Sequence, residues 1–373
     1  MNTKSSTIQK YISFFVIFGL IFASQFFHPS SALGPASKPL DAEWLVDSGE
    51  NHIWYSITGS TLTIGGTGEM PDWISGIAIT ESHYRNTPWF GQNITNIIIN
   101  EGITKIGEYS FSVSSSGMPE ACTITSISLP KSLTSISTGA FQNCNTLTEI
   151  NFSEGLKTIG DHAFQKTGIT SLHLPEGVES IGERSFQDNY NLEQIVLPST
   201  LASIGSRAFI GSYNISFTAL KSTTPPALGY YAYADTNEGM YFIIPASARA
   251  AYASSVEWNF EVAERGYMFF GEEYTNTFSA YFVNLKHSDG GDISSSLEYI
   301  LADEYTPQTI TLTATPEEGY VLKSLTVATE DGTNIPVENN SFTMPAGSVT
   351  VKAVFGTPEI NPDIPDCPNT GAI

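Results

Sequence analysis

Two stretches decide the reading of this chain: SLHLPEGVESIGERSF (Ser171–Phe186) and QIVLPSTLASIGSRAF (Gln194–Phe209). They are one pattern written twice. An isoleucine is followed five residues later by phenylalanine, and the same pair recurs along the middle of the chain. The isoleucines are Ile106, Ile136, Ile159, Ile181 and Ile204, and the phenylalanines are Phe111, Phe141, Phe164, Phe186 and Phe209. Glycine follows four of the five isoleucines, and Ser137 is the exception. The longer first interval matches an insertion around Ser112–Thr123, rich in Ser and Gly. Upstream of each isoleucine lies a second apolar set, such as Ile127 and Leu129, Ile150 and Phe152, Leu172 and Leu174, or Ile195 and Leu197. Residues two apart share one face of a strand. Pro130, Pro175 and Pro198 then end the strand, because proline cannot donate to a ladder. One turn offers too few apolar side chains to offset the entropy of ordering it. Neighbouring turns must therefore share their buried faces, which predicts a stacked solenoid with parallel strands.

These residues resemble the BspA-type leucine-rich repeat of bacterial surface proteins, whose pattern is LxxLxLP followed by LxxIGxxAF. WYSITGSTLTIGGTGEMPDW (Trp54–Trp73) and TPWF (Thr87–Phe90) are similar to the family's β-hairpin entry cap. STTPPAL (Ser222–Leu228) and YFIIPASARAAYASSVEW (Tyr241–Trp258) are similar to its closing turn. The resemblance implies a mainly β fold: a short right-handed leucine-rich-repeat solenoid with a β-hairpin N-cap. Beyond Phe260 the composition shifts. TATPEEGYVLKSLTV (Thr313–Val327) and SFTMPAGSVTVKAVF (Ser341–Phe355) resemble the small all-β repeat modules that follow many bacterial surface domains. That implies a sandwich-like module acting as spacer or stalk. The expected organisation is a signal peptide at 1–32, cap and hairpin at 33–93, repeats with a C-terminal cap at 94–264, the all-β module at 265–356 and a Pro-rich tail at 357–373.

The N-terminus reads as an export signal. Lys4 and Lys10 precede an apolar run from Tyr11 to Phe27, and small residues at Ser30, Ser31 and Ala32 suit cleavage after Ala32. The alternative is an uncleaved anchor, since the run is near the lower limit for spanning a bilayer. The expected location is secreted, extracellular or at the cell surface, with membrane contact only through the transient signal. The formal charge is −22. Such a surface repels phosphate backbones and anionic lipid, so nucleic acid is not an expected partner. CPNTG (Cys367–Gly371) resembles a wall-sorting motif in degenerate form, with Cys367 in place of the leucine, and a chance Pro-rich terminus is the preferred reading. Cys122 and Cys144 lie one repeat apart. They read either as a disulfide between turns or as two small buried residues.

The search for chemistry returns no catalytic, cofactor-binding or metal-ligand motif, and the chain reads as a non-enzyme. HExxH, CxxC and GxSxG are absent. TIGGTG (Thr63–Gly68) sits in a hairpin pattern without the helix that phosphate binding needs. HSDGGD (His287–Asp292) and EDGTN (Glu330–Asn334) carry turn chemistry, not calcium-ligand spacing. What repeats is the set of strand positions between the buried apolars. The binding candidates are Ser126, Ser128, Glu149, Asn151, Ser171, His173 and Gln194, flanked by Asn96, Ile98 and Val196. They form an outward ladder of the kind solenoids use for binding. The ladder offers hydrogen bonds but no aromatic anchors, so it reads either as a ligand face or as solvated filler. Aromatics gather at the caps instead: Trp44, Trp54, Trp73 and Trp89 at the entry, Tyr230, Tyr231, Tyr233 and Tyr241 at the exit. They read as end caps or as a sugar-stacking site. The expected role is adhesion or interaction with a protein or glycan on host or neighbouring cells. The alternative is a structural surface component without a ligand.

Overall fold

The computed structural model describes residues 38–73, 87–113, 122–237, 240–258, 277–302 and 305–358. The export signal, the Pro-rich tail with Cys367 and most of the Ser- and Gly-rich insertion lie outside these residues. The chain divides into two compact units, 33–280 and 281–373 with 1–32. The described residues are mainly β, with 39 % strand and 5 % helix.

The first unit opens with an antiparallel three-stranded cap, β1 (Glu43–Ser48), β2 (Asn51–Thr58) and β3 (Thr61–Glu69). TIGGTG lies inside β3. Gly65 is required there because a Cβ would meet the Trp54 ring at 2.3 Å. The long β3 starts two parallel ladders at once. Its first half pairs with β4 (Asn96–Ile99), and its end pairs with β5 (Ile103–Ile106). From β5 a ladder runs through two-residue strands β7 (Ser135–Ile136), β8 (Thr158–Ile159), β10 (Ser180–Ile181), β12 (Ser203–Ile204) and β14 (Ala227–Leu228). These are the isoleucine positions of the repeat. The sequence marks only the Pro-terminated strands, which form the other ladder: β4 with β6 (Ser126–Ser128), then β9 (Ser171–His173), β11 (Gln194–Leu197), β13 (Phe217–Leu220) and β15 (Tyr241–Pro245).

Between the two ladders each turn folds back through tight turns, and a third set of bonds links neighbours there. The amides of His162, Phe164 and Lys166 donate to the carbonyls of Glu183, Ser185 and Gln187, each at 2.8–2.9 Å. Arg184, Phe186 and Asp188 repeat this onto Ser206, Ala208 and Ile210. The geometry needs a left-handed residue three after each isoleucine. Tyr109, His162, Arg184 and Arg207 have φ of 52–58° there, and Gly139 has 61°. The glycine after isoleucine serves a different need, close approach. A Cβ on Gly182 would stand 2.5 Å from the Gly160 carbonyl carbon, and one on Gly205 would stand 2.4 Å from that of Gly182.

The phenylalanines form the spine of the core. Trp89, Phe111, Phe141, Phe164, Phe186, Phe209 and Tyr233 stack in one pile, with successive ring centroids 4.9–5.5 Å apart. Trp89 begins it, and its Nε1 donates to the Ser110 carbonyl. Beyond Tyr233, Phe242 and Trp258 close the end edge-on. Trp258 is fully buried and donates to the Pro226 carbonyl, while Tyr252 on α1 (Arg249–Ser254) donates to that of Ser222. A buried polar row runs beside the pile, three residues after each ring: Cys144, Thr167, Asn189, Ser212 and Thr236. Cys144 Sγ donates to the Phe111 carbonyl, Asn189 Nδ2 to that of Phe164 and Ser212 Oγ to that of Phe186. Both Cys122 and Cys144 are buried free thiols. Burial raises Cys144 well above the usual thiol value, while the neighbouring Cys144 thiol lowers Cys122 to about 7.

The second unit is built on two sheets around a separate core. In one sheet the C-terminal part of β16 (Thr277–His287) pairs with β23 (Val349–Gly356), β23 with β20 (Val321–Thr329) and β20 with β21 (Asn334–Ile335), and β18 (Tyr299–Leu301) also pairs with β16. The other sheet is β17 (Gly291–Ser295), β19 (Thr309–Pro316) and β22 (Ser341–Thr343). Val283, Val327, Val351 and Phe355 from the first meet Ile293, Ile310, Leu312 and Phe342 from the second. This is the two-layer arrangement of a small β-sandwich. EDGTN is a turn between β20 and β21, where Asp331 accepts from the Thr333 amide and the Thr329 hydroxyl.

Candidate functional site

The Pro-terminated ladder turns alternate side chains out of the core, and most of the candidates lie as expected. Ser128, Glu149, Asn151, Ser171 and His173 are exposed, and Ser126 and Gln194 are half-buried. Ser126 faces Asn96 in register and donates to its Oδ1 at 2.7 Å. Gln194 lies between Ser171 and Phe217.

Three features differ from the sequence reading. First, Glu149 and Asn151 are outside any strand, so the ladder is interrupted between β6 and β9. This turn carries Phe152 and Ser153 where its neighbours carry Leu and Pro, and the Phe152 ring sits edge-on against Phe164 at 5.4 Å. We assign the interruption to that larger ring. Second, Val196 is buried, not outward in solvent. It stands in register between His173 and Ala219, and Ala219 in turn meets Ile243, so the outer row becomes apolar and closes on itself. Third, the ladder does carry aromatics. It continues two strands past the last one read from sequence, and there the position of Gln194 is taken by Phe217 and Tyr241, stacked at 5.7 Å. FTAL and YFIIP lack the isoleucine–phenylalanine companion pattern, which hid them.

The cap aromatics split by role. Trp54, Trp89 and Tyr233 are buried, which fits capping, whereas Trp44 and Tyr230 are about half exposed. A cavity of about 250 Å³ lies where the entry cap meets the first turn, lined by Trp89, Phe90, Ile94, Phe111, Val113 and Cys122 among others.

Six copies of the family profile described as BspA type leucine rich repeat region match this chain, over residues 86–118 and 118–238. The middle of the chain is a BspA-type leucine rich repeat region. A sixth turn lies within the matched residues at Leu228 and Tyr233, where tyrosine takes the phenylalanine's place in the pile. Residues 281–358 match the divergent InlB B-repeat domain and coincide with the two-sheet unit. The chain is similar to a solved leucine-rich repeat protein of Eubacterium ventriosum at 28 % identity, with a TM-score of 0.39 over 46 % of this chain and 42 % of that one. It thus spans less than half the length of that relative. It is similar to the T. pallidum leucine rich repeat protein at 21 % identity and TM-score 0.32, covering 47 % and 82 % of the two chains. A leucine rich cell surface protein of Faecalibacterium prausnitzii matches at 15 % identity and TM-score 0.23, covering 56 % and 76 %. No curated protein matches the chain.

Proposed function

We propose that this BspA-type repeat protein works outside the membrane, secreted or at the cell surface, as an interaction protein. The partner is a protein or glycan of host or neighbouring cells, held on the Pro-terminated ladder. The observation that carries this reading is the run of exposed polar side chains, Ser128, Glu149, Asn151, Ser171 and His173, set on a rigid stack of turns. A rigid scaffold presents such groups with little ordering cost on binding. Phe217 and Tyr241 supply the aromatic surface that polar rows lack. The export-like N-terminus and the repeat family support the location.

The test is binding of the purified protein to arrayed matrix proteins and glycans beside a Glu149→Ala/His173→Ala variant. Binding that falls in the variant supports the ladder. Binding that the variant retains removes it from these residues. A protein that captures nothing and instead self-associates favours the second reading, a structural surface component. The β-module, which resembles spacer modules, is the feature that favours that alternative.

A further inference from the structure

Tyr190 and Tyr213 are 47 % and 55 % exposed, among the most exposed large side chains of the solenoid. They occupy the same place on neighbouring turns, four residues before Gln194 and Phe217, at the edge where each turn enters the Pro-terminated ladder. Their rings lie parallel, 5.3 Å apart and 10° from coplanar. Asn214 Nδ2 donates to the Tyr190 carbonyl at 2.6 Å, which ties together the backbones of the two turns that carry the rings. Two large rings are thus stacked side by side facing solvent.

The surroundings are acidic. Asp188 leans over Gly211, where a Cβ would stand 2.4 Å from its Oδ1. That places a carboxylate between the two turns that carry the rings. Its charge, after burial, helps raise the Tyr190 hydroxyl above the ordinary phenol value. Asp235 holds the matching position on the turn beyond, and Glu193 follows on the strand side, both exposed. The Asp188 side chain is 19 % exposed, with Lys166 Nζ 4.0 Å from Oδ2 and the Gln187 side-chain amide donating to the same oxygen at 3.3 Å. The chain as a whole carries −22.

We propose that the Tyr190–Tyr213 pair with Asp188 is a docking site for a cationic segment of a partner protein, one that offers arginine or lysine side chains. A guanidinium laid on the tyrosine face gains the ring's electrostatic attraction. Its fork also matches the Asp188 carboxylate better than the lysine ammonium does. The acidic field draws such a segment in and turns anionic glycans away. This extends the interaction reading to a second surface beside the ladder and names the chemistry of its partner.

Calorimetric titration of the purified chain with a short oligoarginine peptide tests it at low and moderate salt. Tyr190→Ala/Tyr213→Ala should weaken binding about tenfold, the loss of two exposed cation–ring contacts. Tyr190→Phe/Tyr213→Phe should bind as the parent does, because the ring face is kept, and Asp188→Asn should weaken binding. Trp44→Ala, which removes a similarly exposed ring from the entry cap, should leave it unchanged, and this separates the paired rings from exposed aromatic surface in general. Equal affinity in the parent and the double alanine variant, both folded by circular dichroism, overturns the proposal. So does a phenylalanine variant as weak as the alanine one. Binding of a neutral oligosaccharide that the double alanine variant alone loses also overturns it, because the platform then recognises sugar.

Discussion

At the scale of single residues, the core joins an apolar pile to a polar row, and only the pile shows in the sequence. Phenylalanine recurs as one letter at a fixed offset from isoleucine. The polar row is written with Cys144, Thr167, Asn189, Ser212 and Thr236, whose common property is a short side chain able to hydrogen-bond across turns. No search for one residue type finds such a row. Asn189 is its most connected member. Its Oδ1 accepts from both the amide and the hydroxyl of Thr167 at 2.7 and 2.9 Å, and its Nδ2 donates to Phe164. Asn189→Ala leaves the buried Thr167 amide without its acceptor, while the Thr167 hydroxyl keeps the Phe164 carbonyl at 3.3 Å. It is expected to cost about 1–3 kcal/mol per orphaned group, read as a lowered denaturation midpoint. A midpoint unchanged in that variant would show the row to be incidental. Outward positions such as Ser171 and His173 are legible in the sequence, but the burial of Val196 is not, because it depends on the neighbours that Ala219 and Ile243 provide.

At the scale of one turn, the repeat answers two backbone demands differently. Glycine after isoleucine lets successive turns touch, so Gly182→Ala should force them apart and cost roughly 1–3 kcal/mol. Three residues past the isoleucine, the left-handed position is filled by Tyr109, His162, Arg184 and Arg207, which adopt that conformation at a cost. Arg184→Gly should therefore stabilise the protein by roughly 0.5–1 kcal/mol, the strain relieved exceeding the entropy added. Thermal unfolding of the two variants should shift in opposite directions, and a shift in the same direction would refute this account. The first demand was visible as a glycine column. The second was not, because none of those four residues signals positive φ by type. The two-residue strands also escaped notice, being too short to show any alternation.

At the scale of the whole chain, the outline was readable, with the hairpin entry, the aromatic closing turn and the β-module each signalled by local motifs. The sixth turn was missed because Tyr233 stands where phenylalanine was sought. The two units have separate cores, and calorimetry should divide accordingly. Phe186→Ala, at the middle of the pile, should lower one unfolding transition, and Phe342→Ala should lower another, each by about 3–5 kcal/mol. Both variants moving a single shared transition would contradict independent cores. The pile of rings has a further consequence for how such a gene can change. The turns of Ile159, Ile181 and Ile204 present the same ring, glycine and amide row to their neighbours, so an in-frame duplication or loss of residues 182–204 joins surfaces that already match. Unequal crossing-over can therefore lengthen or shorten the reach of this protein one turn at a time. Only Trp89 at one end and the Tyr252–Trp258 closure at the other mark where that arithmetic has to stop.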